Sequence, residues 1–438
     1  MLEGQSYLIS RALPSSCEHE SKWFYMTCHL FEITSIKLPL SAEREPKEQG
    51  ESNNAKRPKL PESLPLPALQ EPLLPSDLSN SDHGHGGDGS DCSSFINLIG
   101  RDNSISCLAR CSRSDYGALA CVSKAFRSLI KSGYLYRERR KIDIVEHWVY
   151  FSCIINEWEA FDPNRGRWMT LPTMPPNQCL EGIDRESLAV GTQLLVFTKG
   201  VLFNNIVLKY SILTNTWSTG VAMNSSRYMF GSASFGERAI VAGGTSDSGS
   251  ILDSAELYNS ETQTWTTLPS MNIARRNCSG VFMDGKFYVI GGIGSNNELL
   301  ACGEEYDLKE ETWTIKPNMS PGLHGPSGAP PLLAVVNNEL YAANCAEKTL
   351  RKYDKSNNTW ITLGRLPERS DSVDGWGIAF RACGERLLVI GGPRSPTGRM
   401  IELEVNSWIP EEEVPPNWNI IARKRSSGFV YNCAVMGC

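Results

Sequence analysis

The stretch FYVIGGIG, residues 287–294, ends a run of aromatic and branched apolar residues with a pair of glycines. A glycine-rich turn after a strand is typical of phosphate-binding loops, but also of strand ends where the chain turns with positive φ. The pair recurs at residues 243–244 and 391–392 after similar apolar runs, without a helical pattern behind it. Because a phosphate loop needs the N-terminus of a helix, we interpret the pair as a structural turn.

Tryptophans recur in the same part of the chain at steps of 49, 48, 48, 47 and 48 residues. They are Trp168, Trp217, Trp265, Trp313, Trp360 and Trp408. Seven residues before each stands Phe161, Tyr210, Tyr258, Tyr306, Tyr353 or Ile401, and six residues after it stands Met174, Met223, Met271, Met319, Leu366 or Val414. Three markers in one register define six repeats over residues 143–438.

Each repeat has the pattern of four short strands, with the glycine pair ending the second, the Tyr on the third and the Trp on the fourth. A sheet this small cannot cover both of its faces, so repetition around an axis stacks the sheets on one another. A period near 50 with these markers resembles the kelch repeat. The resemblance implies a mainly β fold, a six-bladed propeller. The first repeat lacks its first strand, so we expect residues around 427–435 to supply it and close the ring.

The chain before the propeller divides into two parts. Residues 32–94 contain no Phe, Tyr or Trp and are rich in proline, so they cannot bury enough apolar surface to offset their chain entropy. We predict a disordered tail over residues 1–94. Residues 95–142 instead carry apolar residues at steps of three and four, which predicts a small unit of amphipathic helices. A unit of this size has a small core, and we expect it to need a partner.

The helical unit contains LACVSKAFRSLIKSG, residues 119–133, which resembles an F-box. Together with the propeller, it resembles the plant kelch-repeat F-box protein family. The resemblance implies an F-box that docks on a Skp-type adaptor, and through it on a cullin, within an SCF-type ubiquitin ligase. The propeller would hold a protein substrate for ubiquitination by a separate enzyme. The residues expected to serve the adaptor, with internal core as the alternative, are Ile105, Leu108, Leu119, Val122, Phe126 and Leu129.

Substrate is expected to bind loops at one mouth of the propeller, where Arg, Tyr and Trp are typical interface anchors. The candidates follow the apolar marker or the glycine pair of several repeats. They are Arg227, Tyr228, Arg276, Asn277, Ser295, Asn296, His324, Trp376 and Arg394.

Several function classes are disfavoured by the sequence. Only two histidines, His147 and His324, lie in the propeller, which is a poor basis for a copper site, and neither a P-loop nor a G-x-S-x-G motif is found. We therefore expect no catalytic residue, no metal and no cofactor. A net charge of −6 gives no sign of nucleic-acid binding, and no apolar run is long enough for a membrane span.

Two further hypotheses remain beside the ligase subunit. One is a kelch interaction scaffold with a degenerate F-box and no ligase role, and the other is a propeller hydrolase or oxidase. The run AKRPKL, residues 55–60, resembles a nuclear import signal, and the first residues lack the pattern of a secretory signal. We expect the protein in the nucleus, the cytoplasm or both.

Overall fold

A computed structural model describes residues 95–96, 99–154, 157–174, 183–199, 205–325, 328–368, 375–392, 401–410 and 415–438. The predicted tail, residues 1–94, and the basic run within it lie outside the described residues. Within the described ranges, four α-helices precede six four-stranded antiparallel sheets.

The helices are α1 (Gly100–Arg110), α2 (Tyr116–Val122), α3 (Lys124–Lys131) and α4 (Tyr134–Lys141), with a 3₁₀ turn before α2. The apolar steps of three and four continue from α2 into α3, but the chain breaks between them at Ser123. Ser123 has an extended backbone, and its hydroxyl accepts the N–H of Phe126 (3.1 Å), so it caps α3. Gly133, with φ of +73°, separates α3 from α4.

The strands of the first three sheets, or blades, are as follows. Blade one has β1 (His147–Ile154), β2 (Glu157–Asp162), β3 (Arg167–Thr170) and the last strand of the chain, β24 (Asn432–Gly437). Blade two has β4 (Ile183–Val190), β5 (Gln193–Lys199), β6 (Asn205–Ser211) and β7 (Thr216–Thr219). Blade three has β8 (Gly231–Phe235), β9 (Arg238–Ala242), β10 (Ala255–Asn259) and β11 (Thr264–Leu268).

The other three blades follow in chain order. Blade four has β12 (Ser279–Met283), β13 (Lys286–Ile290), β14 (Gly303–Asp307) and β15 (Thr312–Lys316). Blade five has β16 (Leu332–Val336), β17 (Glu339–Asn344), β18 (Thr349–Asp354) and β19 (Thr359–Arg365). Blade six has β20 (Ala379–Cys383), β21 (Arg386–Gly391), β22 (Ile401–Trp408) and β23 (Asn419–Ser426).

The innermost strands β24, β4, β8, β12, β16 and β20 pack side by side and close a ring. The six-bladed propeller is thus confirmed. Closure by the C-terminus is also found, a few residues later than expected: β24 pairs antiparallel with β1, with Val435 opposite Val149. The ends of the chain segment that forms the propeller therefore meet in one sheet, which leaves no open edge between the first and last blades.

The apolar core lies in the seams between neighbouring blades. In the described residues each seam holds one buried cluster, so a blade is covered only once its neighbours are in place. Tryptophans of the fourth strands join these seams. The indole N–H of Trp265 donates to the Val221 carbonyl of the preceding blade (3.0 Å), and that of Trp313 donates to the Pro269 carbonyl (2.8 Å).

Blade six corrects the predicted register. Trp408 lies on the third strand opposite Leu387, the place that Tyr306 takes opposite Phe287 in blade four. Trp418, just before β23, donates its indole N–H to the Arg365 carbonyl (3.0 Å), as the other seam tryptophans do. The prediction that Trp408 lies on the fourth strand is therefore wrong. The marker Val414 that depended on it lies outside the described residues.

The propeller has two different faces. Turns between first and second strands, and between third and fourth strands, form what we call the hairpin face; the remaining connections form the loop face. The helices lie on the hairpin face. Arg140 pairs with Glu237 in a turn of blade three (2.5 Å), and Asp115 pairs with Arg165 in a turn of blade one (3.1 Å). The buried cluster between blades one and two continues into the helices.

Candidate functional site

The predicted adaptor residues lie mainly in the interior of the helical unit. Ile105, Leu108, Phe126 and Leu129 are buried, and they belong to the cluster that also contains Trp148 and Tyr150 of blade one. Leu119 is half-buried against the same cluster. Val122 is the exception, with 69% of its surface exposed. The structure thus brings five of the six into one core and leaves Val122 exposed at its surface.

Val122 belongs to an exposed patch on the outer side of α2 and α3, which we call the helical surface. It ends α2 one residue before the Ser123 cap, so its side chain lies outside the packed side of both helices. The exposed residues of this surface are Ala118, Cys121, Val122, Lys124, Ala125, Arg127 and Lys131. It combines small apolar side chains with three cations.

The three cations of α3 line a shallow depression of about 440 Å³ with Ser128 and Ser132. The Nε of Arg127 donates to the Ala120 carbonyl (3.1 Å). Among the described residues no carboxylate forms an ion pair with Lys124, Arg127 or Lys131. A partner that covers the helical surface is therefore favoured if it presents carboxylates beside an apolar area.

A buried charge cluster fixes the helices to the propeller. Glu146, just before β1, pairs with fully buried Arg139 of α4 (3.1 Å) and accepts the backbone N–H of Arg113 (3.1 Å). The guanidinium of Arg113 donates to the Tyr150 hydroxyl (3.0 Å) and to carbonyls of Glu146 and Met436. Sequence reasoning missed this cluster, because nothing in the local pattern places these residues together.

On the loop face, the arginines that follow the apolar markers have an internal role. Fully buried Arg227 pairs with Glu256 (2.8 Å) and donates to the carbonyls of Gly243 and Ser254. In the next blade, Arg275 likewise pairs with Glu304 (2.7 Å) and donates to the Gly291 carbonyl. The prediction that Arg227 binds substrate is corrected. Its side chain lies in the blade interior and has no exposed surface for a substrate to contact.

The glycine pair is part of the same arrangement. Gly243 and Gly244 have φ of +71° and +99°, and a Cβ on Gly243 would lie 2.4 Å from the Arg275 carbonyl oxygen. Because Gly244 also donates its N–H to that carbonyl (2.7 Å), the turn is held against the next blade. The pair is a structural turn with no helix behind it.

The residue after each buried arginine lies at the mouth of the loop face. Tyr228 and Arg276 are half-buried, and each forms a backbone bridge to the loop behind its own glycine pair. Asn277 donates its side-chain N–H to the Gly328 carbonyl (2.9 Å) and has φ of +50°. Ser295 and Asn296 are exposed in the loop that carries Asn297, to which Arg276 donates (3.2 Å).

His324 and Trp376 complete the set on this face. Trp376 is half-buried. His324 is near the glycine turn of blade four, with its Nε2 at 3.2 Å from the Gly292 nitrogen, and burial lowers its pKa below the usual histidine value. A neutral ring in such a place supports the turn and offers little charge to a partner. Arg394 lies outside the described residues.

Metal ligands and reactive thiols are two groups that the described residues allow to be checked directly. No group of three or more His, Cys, Asp or Glu among them is placed to hold a metal ion. Burial raises the pKa of the Cys278 and Cys433 thiols to about 11, so both are protonated at neutral pH and poor nucleophiles. None of the described helices is long and apolar enough to cross a membrane.

Comparisons with known proteins agree with this architecture. The F-box domain family matches residues 100–138, and the Kelch motif family matches residues 226–272 and 274–320. The chain is 58% identical to the F-box/kelch-repeat protein SKIP11 of Arabidopsis thaliana, over 84% of this chain and 80% of that protein. It is 48% identical to a second Arabidopsis thaliana F-box/kelch-repeat protein over 100% of both chains, and 54% identical to a third over 80% of this chain and 85% of the relative.

Proposed function

Because the chain belongs to the plant F-box/kelch-repeat family, we propose that it is the substrate-recognition subunit of an SCF-type ubiquitin ligase. An F-box joined to a kelch propeller fits a substrate-adaptor role. In this proposal the helical surface docks on a Skp-type adaptor, which connects it to a cullin. The loop face holds a protein substrate, and a separate enzyme transfers ubiquitin. The protein itself is non-catalytic, and it acts in the nucleus, the cytoplasm or both.

The observation that carries the adaptor proposal is the exposure of Val122. The other apolar residues expected to serve the adaptor are buried or half-buried, whereas Val122, on the helical surface, is 69% exposed. Val122 is flanked by exposed Cys121 and by Ala125 of the next helix, so the helical surface offers a small apolar area that a partner can cover. The buried residues contribute by holding α2 and α3 in place.

The position of the helices supports separate binding sites for the adaptor and the substrate. The helices occupy the hairpin face through contacts with turns of blades one and three, so the loop face points away from them. A substrate on the loop face would therefore not compete with an adaptor on the helical surface. The buried cluster of Arg113, Arg139 and Glu146 keeps the two surfaces in one orientation.

The adaptor proposal is tested by pull-down of the full chain with a recombinant Skp-type adaptor. Wild type is expected to bind, and Val122→Asp to lose binding, because it places a carboxylate in the apolar area. Val221→Asp is the matched control, since Val221 is also exposed (46%) but lies on the propeller. Failure of wild type to bind a panel of such adaptors would favour a kelch scaffold without a ligase role.

A further inference from the structure

The residue that follows the buried arginine occupies one repeated position around the loop face. Gly231, Ser279, Ala379 and Asn432 are equivalent, because each pairs with the same place on the second strand of its blade: Ala242, Ile290, Ile390 and Ser152. Three residues upstream of these four stand Tyr228, Arg276, Trp376 and Phe429. We call them the anchor set. All four are half-buried.

Neighbouring members of the anchor set are linked across blade seams. The N–H of Asn277 donates to the Met229 carbonyl (2.8 Å), which joins the residues that follow Arg276 and Tyr228. A Cβ on Gly377, the residue after Trp376, would lie 3.1 Å from the ring of Phe429. The segments that carry the anchor set are thus close in two adjacent pairs, one joined by a backbone hydrogen bond and the other by the approach of the Gly377 backbone to the Phe429 ring. Tyr, Trp and Arg are the residue types that dominate binding energy at protein interfaces.

Arg276 gives the anchor set its chemical preference. The preceding Arg275 pairs with buried Glu304 and donates to backbone carbonyls, whereas the guanidinium of Arg276 has one hydrogen bond within the described residues, to Asn297 Oδ1 (3.2 Å). Its buried Nε has no hydrogen-bond partner among the described residues, as is also true of Arg275, but unlike Arg275, Arg276 pairs with no carboxylate of those residues. A partly desolvated guanidinium of this kind binds a carboxylate favourably, through charge-assisted hydrogen bonds.

Exposed apolar side chains lie on the same loop face as this cation. Leu299, in the loop of Asn297, is 58% exposed, Met229 is 38% exposed beside Tyr228, and Tyr431 is 42% exposed beside Phe429. Exposed apolar residues of this size next to half-buried aromatics are typical of an interaction surface.

We propose that the loop face binds an acidic, apolar peptide segment: a carboxylate of the segment pairs with Arg276, and a large apolar side chain a few residues away packs on the aromatic members of the anchor set. This inference rests on the proposed function for the identity of the segment as part of a substrate. Peptide binding itself requires no adaptor, so the two can fail separately.

The test is a phage-displayed library of random dodecapeptides selected on the immobilised full chain. Enriched peptides are expected to carry Asp or Glu within a few residues of an aromatic or large aliphatic residue. Synthetic fluorescent copies are then titrated by anisotropy. Arg276→Glu and the milder Arg276→Gln are expected to weaken binding about tenfold or more, because they remove the partner of the carboxylate. Circular dichroism of each variant checks the fold.

Two controls separate the possible outcomes. Arg238→Glu makes the same charge change at an exposed residue of the hairpin face, and Val122→Asp disables the helical surface; both are expected to bind the peptides as wild type does. Failure to enrich any peptide, enrichment of peptides without acidic residues, or equal affinity of wild type and folded Arg276→Gln would overturn the inference.

Discussion

Arg275 and Arg276 are neighbours in the chain with opposite environments. Arg275 is fully buried and paired with buried Glu304, and Arg276 lies half-buried at the mouth of the loop face. We expect Arg275→Ala to lower the free energy of unfolding by about 3–5 kcal/mol, because it leaves the Glu304 carboxylate unpaired in the interior. Arg276→Ala should cost about 0.5 kcal/mol. Urea denaturation of both variants measures the difference, and equal losses would contradict the assignment.

His147 makes stability depend on pH. Burial, and secondly the nearby charge of Arg113, lower the pKa of His147 below its usual value. The unfolded chain therefore binds a proton that the folded chain resists as the pH falls below about 6.5, and stability decreases over that range. His147→Gln should show a smaller fall of the melting temperature between pH 7 and pH 5 than wild type. Parallel curves for the two proteins would count against this.

Single residues also show how far the sequence alone could reach. The aromatic and tryptophan markers of blades one to five were predictable, because period and strand pattern are local properties. Trp408 was assigned to the wrong strand because it stands 48 residues after Trp360. In the structure it occupies the third-strand position that a Tyr holds in other blades, and Trp418 makes the indole hydrogen bond across the seam. The chain from Trp360 to Trp408 is seven residues longer than the chain from Trp265 to Tyr306, and the added length leaves no local signal.

At the scale of elements, the helical unit depends on the propeller. Its core is completed by Trp148, Tyr150 and Trp158 of blade one, and Arg139 and Glu146 join it to the first strand. A peptide of residues 95–142 is therefore expected to be largely unfolded in isolation, since its own apolar residues lose this cover. Circular dichroism of the peptide measures its helix content. A cooperative thermal melt would contradict the prediction, because it would show that the helical unit folds on its own.

The same dependence explains why the adaptor residues were only partly predictable. Helical periodicity identifies Ile105, Leu108, Phe126 and Leu129 as one apolar set, but it cannot say whether the set meets a partner or its own chain. In the folded chain, side chains of blade one cover this set. Blade one follows the helices in sequence, and the helical pattern does not predict that the two pack together. Val122 differs because the Ser123 cap ends α2 beside it.

At the scale of the whole propeller, we expect closure of the ring to make its unfolding cooperative. β24 is the innermost strand of blade one and contacts the inner strands of both neighbouring blades. Truncation after residue 425 removes this strand and opens both seams, so the propeller is expected to lose its folded structure as a unit. A thermal melt by circular dichroism that matches wild type would refute closure as a requirement for stability.

The central claim is that an adaptor binds the helical surface and leaves the loop face available. Hydrogen–deuterium exchange of the full chain, measured by mass spectrometry with and without a saturating Skp-type adaptor, tests it most directly. The predicted result is slower exchange in peptides that cover α2 and α3, residues 116–131, with unchanged exchange around Tyr228 and Arg276. Protection of the loop face instead, or of no region at all, would contradict the claim.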